Sequence, residues 1–252
     1  MTFRSLFILL FCVTGFTAFS QCIEKQQIGF SGSWYSNDFM HLCPTYTFTF
    51  NGDTSKNWGV YFGRSHIDIS QAPVKIFALK NSIDKKIKSF AGDSFYSKVQ
   101  FSFVEIVYPN KLKALKDSGF TEGTLKYCKV KYFFYYQFNP DTNTIFHFGI
   151  AVDKYGKIIS KFDFPSKENY KSFDTSFSYC KIIAKAREIQ KNIDPIREVT
   201  LEYNEKMKRF CWSISQDIIK LTYRVGYYNH VYIDASDLSK ATTSKVDVTI
   251  IY

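Results

Sequence analysis

Between residues 125 and 164 the chain leaves room for little except an antiparallel meander. Strand-like runs at 125 to 138, 145 to 153 and 157 to 164 are separated only by "NPDTN" and "KYG". Connections this short join antiparallel neighbours, because a parallel crossover takes about a dozen residues or more. Asn139-Pro140-Asp141 and Gly156 supply the turn chemistry. In "KYFFYYQF" at 131 to 138 both faces are aromatic, with Tyr132, Phe134 and Tyr136 on one and Phe133 and Tyr135 on the other. One face is expected under a helix. The other must be covered by a second unit, a partner or a ligand.

The same pattern extends in both directions. "TYTFTF" at 45 to 50 alternates, and "WGVYFG" at 58 to 63 returns after a turn, which predicts a hairpin. Phe77, Ile83, Ile87 and Phe90 recur near helical spacing, and Gly92 offers a stop. "KVQFSFVEIVY" from 98 to 108 reads as a strand, and "NKLKALKDSG" as a short helix or turn. Asp174 is a plausible N-cap for a helix to about Asn192, with Tyr179, Ile182, Ile183, Ala186, Ile189 and Ile193 on its apolar stripe. Strands follow at 197 to 203, 209 to 215, 229 to 234 and 245 to 252. A helix followed by antiparallel strands thus occurs twice, which predicts an α+β fold of antiparallel sheets. The expected organisation is a leader over 1–20, an N-terminal β-hairpin region over 21–72, a first α+β unit over 73–166 and a second over 167–252.

The leader, "MTFRSLFILLFCVTGFTAFS", has one basic residue, a short apolar core and Ala18-Phe19-Ser20 at its end. That is the pattern of a secretory signal peptide cleaved near Ser20. Export to the periplasm or beyond the cell is therefore expected. No later run approaches the ~18 apolar residues of a membrane span. The formal charge of the full chain is +10, but its lysines are scattered and no nucleic-acid motif is present, so no nucleic-acid partner is expected. Five cysteines follow the leader: Cys22, Cys43, Cys128, Cys180 and Cys211. An odd number in an exported chain leaves at least one free or paired between chains. Cys22 and Cys43 are a candidate pair, closing a loop worth ~3 kcal/mol, with other pairings open.

Few residues carry recognisable chemistry. The four histidines, His41, His66, His147 and His230, include no helical zinc pair. His66 with Asp68, or His230 with Asp234, could line one strand face as a metal site or a base. Cys180 or Cys211 could serve as a thiol nucleophile only with a distant histidine, and no serine sits in a nucleophile elbow. Asp234 and Asp237 flank a turn without the calcium-loop pattern. No catalytic residue, cofactor or metal is assigned.

In "RFCWSIS", Phe210, Trp212 and Ile214 share one face and Arg209, Cys211, Ser213 and Ser215 the other. This strand, with "FSYCKIIAKAREIQ" before it, "EVTLEY" paired across "NEKMK", and the later "VYIDAS", resembles a PepSY-type module over the last third of the chain. "AVDKYGKII" keeps a similar strand-Asp-x-x-Gly-strand pattern. The sequence departs from that family where Ala235 leads into Ser236-Asp237 instead of a glycine. The resemblance implies a noncatalytic protein, an inhibitor or chaperone-like partner of a secreted or envelope protein, with Trp212 as a core anchor. A second resemblance lies in Gly32-Ser33-Trp34, similar to the Gly-x-Trp entry of lipocalin-like barrels, and implies a carrier of a small apolar ligand. A hydrolase without a recognisable signature is the third reading. Export and protein binding through an aromatic sheet face or an exposed edge strand is the reading adopted.

Overall fold

The structure, a computed structural model, describes residues 45–49, 58–60, 75–107, 129–141, 144–174 and 178–249. The leader, Gly32-Ser33-Trp34, the His66–Asp68 pair and the cysteines Cys22, Cys43 and Cys128 lie outside the described residues.

The fold is α+β and its sheets are antiparallel. The first sheet runs in the order β2-β1-β3-β4-β5, with β1 Thr45–Thr49, β2 Trp58–Val60, β3 Val99–Val107, β4 Lys131–Phe138 and β5 Phe146–Asp153. Helices α1 (Lys75–Ala91) and α2 (Asp93–Tyr96) precede β3. The second sheet follows helix α3 (Tyr179–Ile189). Its order is β10-β9-β7-β6, from β6 Ile196–Asn204, β7 Arg209–Gln216, β9 Val225–Asp234 and β10 Ala241–Thr249, and the short β8 (Ile219–Lys220) pairs with β9. The hairpin register sets Tyr46 opposite Val60 and Phe48 opposite Trp58, so the predicted pairing is present.

Burial of the apolar stripes explains where the helices lie. On α1, Ile76, Ile83, Ile87 and Ala91 are buried, a spacing that keeps one face inward. Phe77, expected on that stripe, is half exposed, because Ile76 occupies the inward position one residue earlier. Gly92 ends α1 with φ +83°, and a Cβ there would come within 3.2 Å of Lys167 Cβ. With ψ 168° this is a positive-φ conformation that glycine adopts without strain and other residues do not. On α3, Ile182, Ile183 and Ala186 are buried. The expected cap, Asp174, instead donates its backbone N–H to Ala235 O at 2.9 Å. That bond ties residue 174 to the end of β9, and the helix starts later. Ser178 takes the cap, its Oγ accepting from the Lys181 N–H at 3.3 Å.

The third meander strand, expected at 157 to 164, is reduced to a single bridge between Val152 and Ile158. Its aromatic residues turn into the core instead. Phe164 is fully buried, stacked on Phe95 (5.1 Å) and packed on Phe148 (4.7 Å). One apolar core runs through both helix-and-sheet units. Phe210 of β7 is where they meet: its ring stacks on Phe138 of β4 at 5.2 Å and lies edge-on to Phe146 of β5 at 4.9 Å. Burying each such aromatic is worth about 1.5–3 kcal/mol, so the two units are joined by the same effect that folds each of them.

The doubly aromatic β4 is buried on both faces. Tyr132, Phe134, Tyr136 and Phe138 belong to the main core. Phe133 and Tyr135 form a second cluster with Val107 and Ala151, against which Phe103 and Ile159 pack. Tyr135 stacks on Phe103 at 4.3 Å and its hydroxyl donates to Glu105 Oε2 at 2.9 Å. This aromatic face is therefore not available as the contact surface expected from its composition.

Candidate functional site

Alternation along β7 and β9 builds a polar patch on the face of the second sheet turned away from Trp212. Trp212 is itself fully buried, edge-to-face with Tyr179 of α3 at 5.9 Å. On the opposite face the register sets Cys211 across from Asp234, Ser213 across from Tyr232 and Ser215 across from His230. Thr200 and Glu202 of β6 lie beyond Ser213 and Cys211. The resulting contacts are local and specific. Ser213 Oγ and His230 Nε2 are 2.6 Å apart, and the His230 ring lies 4.2 Å from that of Tyr232. Thr200 Oγ1 donates to Glu202 Oε1 at 2.9 Å.

A serine hydrogen-bonded to a buried histidine invites comparison with a nucleophile and its base. The surroundings argue against that chemistry. Ser213 is in a central strand between β6 and β9, so neighbouring backbone N–H groups are spent on the ladder and cannot form an oxyanion site. Among the described residues no hydrogen bond joins His230 to a carboxylate that would orient it. Asp234, the expected partner of His230, is engaged elsewhere. It accepts from Arg209 Nη1 at 2.8 Å and from the Ser236 N–H and hydroxyl at 2.8 and 2.6 Å. Asp237 is likewise held by Ser239 and by Lys240 at 2.8 Å. No group of three metal-binding side chains is gathered among the described residues. The patch works as a satisfied polar layer on the sheet.

Burial holds His230 below the ordinary histidine range, with Glu202 and Glu198 opposing the shift. A histidine whose folded pKa is depressed stays neutral while the unfolded chain takes up a proton. Stability present above about pH 6.5 is then lost as the pH falls toward the folded value. Urea unfolding midpoints are expected to drop between pH 7.5 and 5.5, and to drop less in His230→Gln.

The cysteines behave oppositely. Cys180 is exposed on α3 and disulfide-bonded, its partner lying outside the described residues. Cys211 is a free thiol, fully buried between Met207 and the strand. Burial first, then the Asp234 carboxylate, pushes that thiol up to about 12. Thiolate is the reacting form, so native Cys211 is expected to alkylate at least ~100-fold more slowly than a free thiol at pH 8. Iodoacetamide labelling followed by peptide mass analysis, with and without urea, checks this. Rapid labelling of the native chain would show the thiol to be reachable.

What the sequence did not single out is the tip of the β8–β9 hairpin. Leu221 is 60% exposed and Tyr223 68%, with Val225 beside them also exposed. The tip is held in shape: the Leu221 and Thr222 N–H groups both donate to Val225 O, and Thr222 Oγ1 accepts from the N–H groups of Arg224 and Val225. The Arg224 guanidinium lies over the Tyr223 ring at 5.1 Å. Gly226 lets β8 come close, since a Cβ there would lie 2.8 Å from Ile218 Cγ2 and Ile219 O. Leu221-Thr222-Tyr223-Arg224-Val225 mixes apolar and polar residues as ordinary loops do, and only its exposure in the fold marks it. Compared with protein-family models, with curated proteins and with solved structures, this chain matches none.

Proposed function

We propose that this is an exported, noncatalytic binding protein that grips another secreted or envelope protein, as an inhibitor or chaperone-like partner. The observation that carries this reading is the β8–β9 tip, where Leu221, Tyr223 and Val225 stand out on a hydrogen-bonded turn. A tyrosine beside an arginine, Tyr223 with Arg224, is the composition of contact hot spots, and ordering costs are small when the turn is already fixed. The export part of the proposal is supported by the leader pattern and by the bonded Cys180, since disulfides persist in oxidising compartments. The helix followed by an antiparallel meander in the last third is in keeping with a PepSY-like module, whose role would be of this kind.

A photoreactive phenylalanine at position 223 is expected to capture a protein in the host envelope. The same group at Tyr155, which is 81% exposed on the other unit, is expected to capture none. Equal capture at both positions would remove the tip from the argument. Native mass spectrometry of gently purified protein provides the second arm: a bare chain or a protein complex is expected. A defined small-molecule adduct would overturn the proposal in favour of a carrier.

A further inference from the structure

The edge of the second sheet is formed by β10, "ATTSKVDVT", which pairs with β9 alone among the described residues. Its nine residues pair with β9 without a bulge, from Ala241 opposite Ile233 to Thr249 opposite Val225. One backbone bond fixes which groups face outward: the Asp234 N–H donates to Lys240 O at 2.9 Å. In an antiparallel ladder hydrogen-bonded pairs alternate with non-bonded ones. Thr242, Ser244, Val246 and Val248 therefore bond to β9. Thr243, Lys245, Asp247 and Thr249 turn their N–H and C=O groups to the open edge.

We propose that this edge pairs with β10 of a second copy, antiparallel about a two-fold axis at Val246, to make one sheet continuous across a homodimer. The inference is independent of the tip and its partner. Outward-facing residues must meet outward-facing residues, which excludes every register displaced by a single position. Of the allowed ones, a centre at Lys245 or at Asp247 sets like charges directly opposite, one at Ser244 sets Thr243 and Ala241 against the charges, and one at Val248 sets Thr249 against Asp247 and carries Lys245 past the end of the strand. Centring on Val246 sets Lys245 opposite the second copy's Asp247, and by symmetry does so twice. Thr243 then meets Thr249, Ser244 meets Val248, and Val246 meets itself. The pairs 243–249 and 245–247 are the bonded type, each exchanging both N–H···O bonds.

An exposed edge strand is normally blunted by a charge such as lysine. Here Asp247, two residues from Lys245 on the same face, turns that charge into a means of selecting register. Lys245 already lies over the Tyr227 ring at 4.0 Å, so its side chain is partly ordered before it meets the carboxylate. Mode and partner are those of strand addition to a sheet edge, with the self-complementary patch that a two-fold interface needs.

Sedimentation equilibrium of the purified protein tests this. The wild type is expected to dimerise, and Lys245→Glu or Asp247→Lys to raise the dimer dissociation constant roughly tenfold or more, because two attractive pairs become two repulsive ones. The double variant Lys245→Glu/Asp247→Lys restores both pairs and is expected to restore the dimer, which a general loss of folding would not do. Val246→Cys is expected to form a disulfide-linked dimer on mild oxidation, since non-bonded pairs bring Cα atoms to about 4.5 Å. Ser244→Cys, facing Val248, is expected not to. A monomeric wild type, a dimer indifferent to both single charge variants, failure of the double variant to recover, or equal cross-linking at 244 and 246 would each overturn the proposal.

Discussion

Phe210→Ala is expected to cost about 3–5 kcal/mol and to loosen both helix-and-sheet units together. The reason lies in how many rings meet there. Phe210 stacks on Phe138 and on Phe95 at 5.2 and 6.1 Å, and packs on Phe146, Phe173 and Tyr203 at 4.9, 5.7 and 6.3 Å. Truncation removes the transfer free energy of the ring and leaves a cavity that aromatic neighbours on fixed strands fill poorly. Because those neighbours belong to both units, the unfolding transition should move as one in the wild type. Urea unfolding is the measurement, followed by the fluorescence of Trp212 in a background with Trp34 and Trp58 replaced by phenylalanine and by far-ultraviolet circular dichroism for the whole chain. Coincident transitions in the wild type, shifted together in the variant, are expected. Two separated transitions in the wild type would mean that the shared aromatic core does not couple the units.

The second large effect is an asymmetry at Arg209 and Asp234. The Asp234 side chain is 1% exposed and that of Arg209 27%. Arg209→Leu strands a carboxylate in the sheet, supported among the described residues by the Ser236 hydroxyl and N–H alone. Breaking a buried pair from this side typically costs about 3–5 kcal/mol. Asp234→Asn leaves a neutral amide that keeps an oxygen for Ser236, while the partly exposed guanidinium turns to water. That change is expected to cost nearer about 1 kcal/mol, the loss of a single hydrogen bond. The combined variant Arg209→Leu/Asp234→Asn should be more stable than Arg209→Leu alone. Chemical denaturation of the three variants decides it, and equal costs for the two single changes would show that the pair is solvated in solution.

Much of the architecture was legible because it follows from short-range chemistry. Alternation in "RFCWSIS" locates β7 to within a residue, whereas of the run expected from 125 to 138 the strand β4 begins only at Lys131, with 129 and 130 outside it. Turn residues between runs determine that neighbours are antiparallel, and the apolar stripe of α3 is readable from spacing alone. Boundaries were less legible. Nothing local to Asp174 reveals that its N–H is bound to Ala235 across the fold. Nor does alternation at 157 to 164 show that Phe162 and Phe164 gain more by packing on Phe90 than by extending the sheet.

The candidate site follows the same division. Strand periodicity puts His230 and Asp234 on one face of β9, and the structure keeps them there. Position on a face does not settle partnership, however. Arg209 and Ser236 reach Asp234, and Ser213 reaches His230, through register that only the folded sheet sets. By itself the sequence determined fold class, the faces of strands and helices, and the poverty of recognisable catalytic groups, because these depend on residue order over a few positions. The tertiary structure decided which aromatic face is covered, which cysteine is inert, and which edge and hairpin tip face solvent. Those outcomes depend on what distant segments bury, and burial is a property of the packed chain as a whole.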